Sequence, residues 1–170
     1  MSSAIAATTT RGVVFVHACP PALAAHVEWA IAEVLARPVT LSWTPQPAAP
    51  GQLRTEATWV GAVGTAARIA AGLRAWPMLR FELTEEASAR GDGERLAFVP
   101  GRGFHRSMVS ANGDVVLGEE RVRGLLSRAR TAEEFRHGLH ELLGSDWDAE
   151  LEPYREGGDG APVTLLHHVV

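Results

Sequence analysis

His17 and Cys19 stand two residues apart, just ahead of Pro20-Pro21. Prolines suit the first turn of a helix, and a thiol at a helix N-terminus is acidified by the helix dipole. An imidazole beside it can take its proton, so the pair has the makings of a nucleophile and a base. No Asp or Asn lies close in sequence to orient the imidazole. The competing expectation is therefore a small buried or capping cysteine. A second set is carried by alternating segments: Phe15 and His17, Arg54 and Glu56, Arg80 and Glu82. On strands these residues share a sheet face, where mixed charges beside an aromatic ring and an imidazole suit a ligand. The plainer alternatives are cross-strand ion pairs on a solvated face, or a face covered by the C-terminal half.

A third set, His137, His140 and Glu141, falls on one side of a helix and could join His167 or His168 around a metal. Phe135, Leu139 and Leu142 define the buried stripe of that helix, the histidines lie roughly opposite, and the HExxH zinc pattern is absent. A solvated polar face is expected, with no metal site and no cofactor. On the first helix His26 and Trp29 lie outside the main apolar stripe, Trp29 about 200° around from Val27. Cover by the chain's own C-terminal segment is expected for Trp29; the rival is an interface anchor. There is no glycine-rich phosphate loop and no G-x-S-x-G motif.

The elements that must position these residues are legible from periodicity. Val13–His17 reads as a strand, and a helix follows to about Ala36 with Leu23, Val27, Ile31 and Val34 inward. Val39, Leu41 and Trp43 alternate as a second strand, Leu53–Trp59 as a third and Leu79–Thr84 as a fourth. A helix between the last two buries Ala66, Ile69 and Leu73. This order, βαββαβ over residues 12–86, predicts an α+β protein with a ferredoxin-like sandwich and strand order 4-1-3-2. A polar, glycine-bearing stretch at 87–93 is the best boundary. Residues 94–170 then give a three-stranded β-meander, with a hairpin signal at Asn112-Gly113, and short C-terminal helices. Thr131 with Glu134 forms a capping box, and Ser145 with Asp148 opens an acidic helix that Pro153 should stop. Trp147, Leu151 and Tyr154 are its apolar side. Val163–Val170 reads as a last strand, and the two halves are expected to pack as one unit.

Composition narrows the classes. The 170 residues are 46% hydrophobic, enough for a real core. Cys19 is the only cysteine, so there is no internal disulfide. All sixteen basic residues are Arg, which excludes Schiff-base and phosphate-loop lysine chemistry, and the net charge is −4. An acidic chain is a poor prior for nucleic-acid binding. Val14-Phe15-Val16 resembles the first-strand motif of RNA-recognition domains, but the third strand presents Arg54, Glu56 and Thr58 where stacking aromatics are needed. Residues 1–11 read as a disordered tail and not a signal peptide. No apolar run reaches the ~20 residues of a membrane span, so a cytoplasmic protein is expected.

Four stretches carry a resemblance: His26-Val27-Glu28-Trp29-Ala30, Trp43-Thr44-Pro45-Gln46-Pro47, Asp146 through Arg155, and Gly160-Ala161-Pro162. With them the chain resembles the uncharacterised actinobacterial domain-of-unknown-function family 3145 (DUF3145). The resemblance covers nearly all of the chain past the tail and brings no catalytic residues. It implies an accessory protein and an association with bacterial fatty-acid synthesis. The expected function is accordingly a non-enzymatic accessory or interaction protein, working through the open sheet face and the Trp29 stripe. The arginines Arg121, Arg123, Arg128, Arg130 and Arg136 could receive an acidic carrier protein. The rival is a small-molecule regulator or enzyme using a pocket near His17 and Cys19.

Overall fold

Val14 and Val16 alternate with Phe15 and His17, and this alternation makes strand β1 (Thr9–Cys19) the two-sided centre of the sheet. The computed structural model describes residues 9–89 and 91–166. β1 starts at Thr9, four residues earlier than the sequence suggests. Thr9–Arg11, expected in the tail, pair with Gly61, Ala62 and Val60 of a neighbouring strand. Residues 1–8 of that expected tail lie outside the described residues.

A 3-10 turn (Pro21–Leu23) leads into helix α1 (Ala24–Leu35). The remaining elements are β2 (Thr44–Pro45), β3 (Leu53–Ala62), α2 (Thr65–Leu73), β4 (Arg80–Glu85), β5 (Gly93–Val99), β6 (Gly103–Val109) and β7 (Val115–Val116). Helices α3 (Glu119–Arg128), α4 (Ala132–Leu143) and α5 (Ser145–Glu156) and strand β8 (Val163–Leu166) follow. The result is a mixed α/β fold with one sheet in the order β2-β3-β1-β4-β5-β6-β7. Every pairing is antiparallel except that of β8, which runs parallel to β3. β4 pairs with β5 from Phe81↔Phe98 to Glu85↔Glu94, so the sheet runs on across the expected boundary.

The expected strand Val39–Trp43 forms no ladder; the two-residue strand β2 begins only after it, at Thr44–Pro45. Backbone donors of the expected strand go to side chains instead: Leu41 N–H donates to Glu28 Oε1 at 2.9 Å and Ser42 N–H to Thr164 Oγ1 at 3.0 Å. The Trp43 indole donates to the same Glu28 oxygen at 3.0 Å. Val39 and Leu41 are still buried, so the hydrophobic reading of the segment stands where its hydrogen bonding does not.

The sheet's first face carries the main core. Val14, Val16, Ala57, Trp59, Phe81, Leu83, Leu96 and Phe98 meet Val27 and Ile31 of α1 and Ile69 and Leu73 of α2. Glu85 ties α2 to β4: its carboxylate accepts from Gly64 N–H at 2.7 Å and Ala66 N–H at 2.9 Å. It thereby serves the orphan donors at the helix N-terminus that no side chain of the helix caps.

The second face is crossed by α5, which reaches from β5 to β1. Leu151 is fully buried with Ala97, Val99 and Trp147, and the Trp147 indole donates to Gly103 C=O at 2.9 Å. The docking expected of Trp147 and Leu151 is thus formed. Gly144 makes the turn from α4 into α5 at φ +75°, and a Cβ there would overlap the His105 ring, so glycine suits both the conformation and the approach. Ser145 does not cap α5; its hydroxyl meets His140 Nδ1 at 2.9 Å. Pro153 does not stop the helix either. It lies inside α5 near the C-terminal end, where its missing N–H interrupts only the last turns.

Candidate functional site

Along β4 the alternation that sends Phe81 and Leu83 into the core sends Glu82 to the other face. There it meets α5, and a cluster forms around a carboxylate that is 5% exposed. Glu82 Oε2 accepts from His17 Nε2 at 2.7 Å and from Arg155 Nε at 2.8 Å. Its Oε1 accepts from Arg155 Nη2 at 2.6 Å and from Arg95 Nη2 and Nε at 2.7 and 3.1 Å. Asp148 bridges the same two arginines, at 2.5 Å to Arg95 Nη2 and 2.8 Å to Arg155 Nη2.

Burial pushes the Glu82 carboxyl up, but hydrogen bonds from His17 and Arg155 and the nearby charges outweigh it and hold the group well below its ordinary value. Asp148 is lowered in the same way, burial again opposing and the two arginines prevailing. An ionised carboxylate only accepts, so His17 carries a proton on Nε2. Its Nδ1 is buried without a hydrogen-bond partner. Glu82, ionised and saturated, is an anchor for α5 and no general base.

Beside this cluster lies a pocket of about 390 Å³, lined by Phe15, His17, Arg54, Glu56, Glu82, Thr84, Arg95, Arg155, Gly158 and Asp159. Phe15 and His17 stack in near-parallel planes with centroids 5.9 Å apart. Arg54 is only 4% exposed, yet its Nε and Nη1 have no hydrogen-bond partner. Among the described residues its one ion-pair contact is with Glu56, at 4.0 Å. The backbone of Gly158 lies against the Arg54 guanidinium so closely that an added Cβ would come within 2.5 Å of Nη2. Gln46 fastens the pocket's end: its Nε2 donates to His17 C=O at 2.8 Å and Tyr154 C=O at 3.1 Å.

Five of the residues singled out from the sequence, Phe15, His17, Arg54, Glu56 and Glu82, therefore meet in one pocket. Arg80 shares the face but stacks over the Tyr154 ring, 4.8 Å from its centroid, outside the lining. Cys19 goes elsewhere. The β1 register shifts between Val16 and Cys19, and the thiol joins the core under α1. There Sγ donates to Pro20 C=O at 3.3 Å, and burial pushes the thiol up to about 11. The spacing that pairs His17 with Cys19 on paper is undone by this bulge.

Trp29 is 65% exposed, which overturns the expected cover by the C-terminal segment. It leans on His26 alone among the described aromatic contacts, at 5.1 Å between centroids, because that segment joins the sheet beside β3 instead. His137 and Glu141 form an exposed pair at 3.3 Å. No group of three metal-ligating side chains occurs among the described residues, and His167 and His168 lie outside them. Arg95 and Gly158 have no place among the site residues read from the sequence; Asp148 enters there only as a helix-opening carboxylate, and Gln46 and Arg155 only within the stretches that carry the resemblance. Asp148, Glu152 and Arg155 do recur at helical spacing, the one signal that could have grouped them.

A family model described as a protein of unknown function, DUF3145, matches residues 13–168. The chain belongs to this family. No curated protein and no solved structure matches it. The stretches that carry the DUF3145 resemblance supply Glu28, Trp43 and Gln46 in the scaffold, and Asp148 and Arg155 at the ion cluster.

Proposed function

We propose that the chain is a non-enzymatic binding protein that holds a small organic anion between the sheet face and the end of α5. The observation that carries this reading is Arg54. A guanidinium stays charged in proteins, and a buried charge normally has a partner. Here two nitrogens of a residue that lines a ligand-sized pocket are buried unpartnered beside it. A binding role is favoured over catalysis because the thiol lies in the core and the Glu82 carboxylate is saturated.

The same reading takes residues 12–86 as a ferredoxin-like sandwich, supported by the run β2-β3-β1-β4 with α1 and α2 packed on one face. The family resemblance adds an accessory role in the cytoplasm, associated with fatty-acid synthesis. In that role the exposed arginines Arg121, Arg123, Arg128, Arg130 and Arg136 of the α3–α4 region face an acidic carrier protein.

A thermal-shift screen of the purified chain against small anions tests the pocket. Stabilisation by at least one anion is expected, lost in Arg54→Gln and kept in Cys19→Ala and Trp29→Ala. A screen in which no anion stabilises the protein, or in which Cys19→Ala abolishes the effect, removes the reading. Capture of an acyl-carrier protein that reversal of the α3–α4 arginines abolishes would support the accessory role separately.

A further inference from the structure

We infer that the ligand is a monocarboxylate on an apolar, ring-sized body, with its carboxylate on Arg54 beneath the Gly157–Gly160 loop. The inference rests on the pocket reading above and narrows it to a chemical class.

Charge decides the anion. The lining carries three cations, Arg54, Arg95 and Arg155, and three carboxylates, Glu56, Glu82 and Asp159. Arg95 and Arg155 are held by Glu82 and Asp148, so the buried donors left unfilled on a lining cation belong to Arg54. A phosphate monoester brings about −1.5 to −2 charges at neutral pH and would face three lining carboxylates. A single carboxylate brings one charge to one guanidinium, and the two shapes match.

Size and lining decide the body. About 390 Å³ is at the small end for ligand pockets and admits a ring with a short arm. Phe15, stacked on His17, offers an aromatic wall.

The glycine loop decides the route. Gly158 lies on the guanidinium, and a Cβ on Gly157 would overlap Gln46 Oε1. Arg54 Nε and Nη1 are closed off from solvent. The anion reaches them when this loop lifts from Arg54, a movement that breaks no hydrogen bond made by those two nitrogens.

The test is isothermal titration of the full chain with benzoate and phenylacetate, with benzamide and phenylacetamide as neutral partners, and with phenyl phosphate. The carboxylates are expected to bind about ten- to a hundredfold more tightly than their amides, the loss that accompanies a missing charge-assisted hydrogen bond. Arg54→Gln should lose the same factor, and Arg54→Lys should recover part of it, because a point charge replaces the fork. Should the Arg54 variants fail to fold, titrating benzoate into the isotope-labelled wild type and following the Gly158 amide resonance answers the same question. A shift at Gly158 is expected; saturation with no shift there overturns the placement. Tighter binding of phenyl phosphate than of benzoate overturns the monocarboxylate class. Equal binding of amide and carboxylate overturns the role given to Arg54 and, with it, the anion reading that Arg54 carries. If other anions bind and none of the ring carboxylates does, the body is wrong. If no anion binds at all, the pocket reading itself fails.

Discussion

The two faces of the sheet are cut from the same strands and held together by opposite means. β4 gives Phe81 and Leu83 to one side and Glu82 to the other. On the first side Phe81 stacks on Phe98 at 5.1 Å and meets Phe104 edge-on, in a core that any apolar side chain of the right volume could serve. On the second, one carboxylate receives five hydrogen bonds from three residues, which fix α5 in one position across β1 and β5. Apolar packing stabilises without direction. The ion cluster adds little net stability for its desolvation cost, but it is specific about what sits where. A pocket that needs a particular wall is therefore found on the charged face.

The comparison is broken most strongly by single truncations on each side. Phe81→Ala leaves a cavity in the apolar face and should cost about 3–5 kcal/mol in urea unfolding. Glu82→Ala removes fewer atoms and should cost about 3 kcal/mol, because it leaves Arg155 Nε and His17 Nε2 without their acceptor. The faces separate in the double variants. Glu82→Leu with Arg155→Leu leaves Arg95 paired to Asp148, and should cost clearly less than the sum of the two single changes. Simple additivity would show that the cluster is not one coupled unit.

Acid sharpens the same contrast. Glu82 and Asp148 have folded-state values below their unfolded ones. Such groups contribute stability that is fully present above the ordinary carboxylate range and is lost as pH falls toward the folded value. Stability measured from neutral pH down through pH ~3 should therefore fall in the wild type and fall less steeply in Glu82→Gln. Identical slopes would mean that the carboxylate is not held down by its neighbours.

The apolar face was the legible one. Alternation of Val14 with Phe15 and of Phe81 with Glu82 is a local signal, and it assigns sides to β1, β3 and β4 without reference to any contact. The charged face was legible only in its strand half. Arg54, Glu56 and Glu82 could be put on one side, but Arg95 and Arg155 reach Glu82 across 13 and 73 residues of sequence, and no periodicity links them. Cys19 went astray for a local reason: one bulge near the end of β1 exchanges faces, and nothing in His17-Ala18-Cys19 announces it. Val39–Trp43 has the pattern of a strand, and only the distant Glu28 and Thr164 show where its donors go.

A smaller effect probes how the faces are joined. Glu85 sits at the end of β4 and holds the N-terminus of α2. Glu85→Ala removes a cap supplied from another element and should cost about 1–2 kcal/mol, with earlier hydrogen exchange in α2 than in α1. Uniform exchange in the two helices would assign Glu85 a role in the sheet alone.

The smallest effect isolates burial as the variable that makes an arginine matter here. Arg123 pairs with Glu119 one turn away on α3, both side chains largely exposed, where water screens the charges and the side chains give up rotamer freedom to meet. Arg155 meets Glu82 with far less exposure on either partner. Arg123→Gln should change stability by less than ~0.5 kcal/mol, and that small change should vanish in high salt. Arg155→Gln should cost several times more, and salt should leave most of that cost in place, because counterions reach Glu82 poorly. Equal salt sensitivity in the two variants would mean that the cluster is solvated, and the functional distinction between the faces would then rest on Arg54 alone.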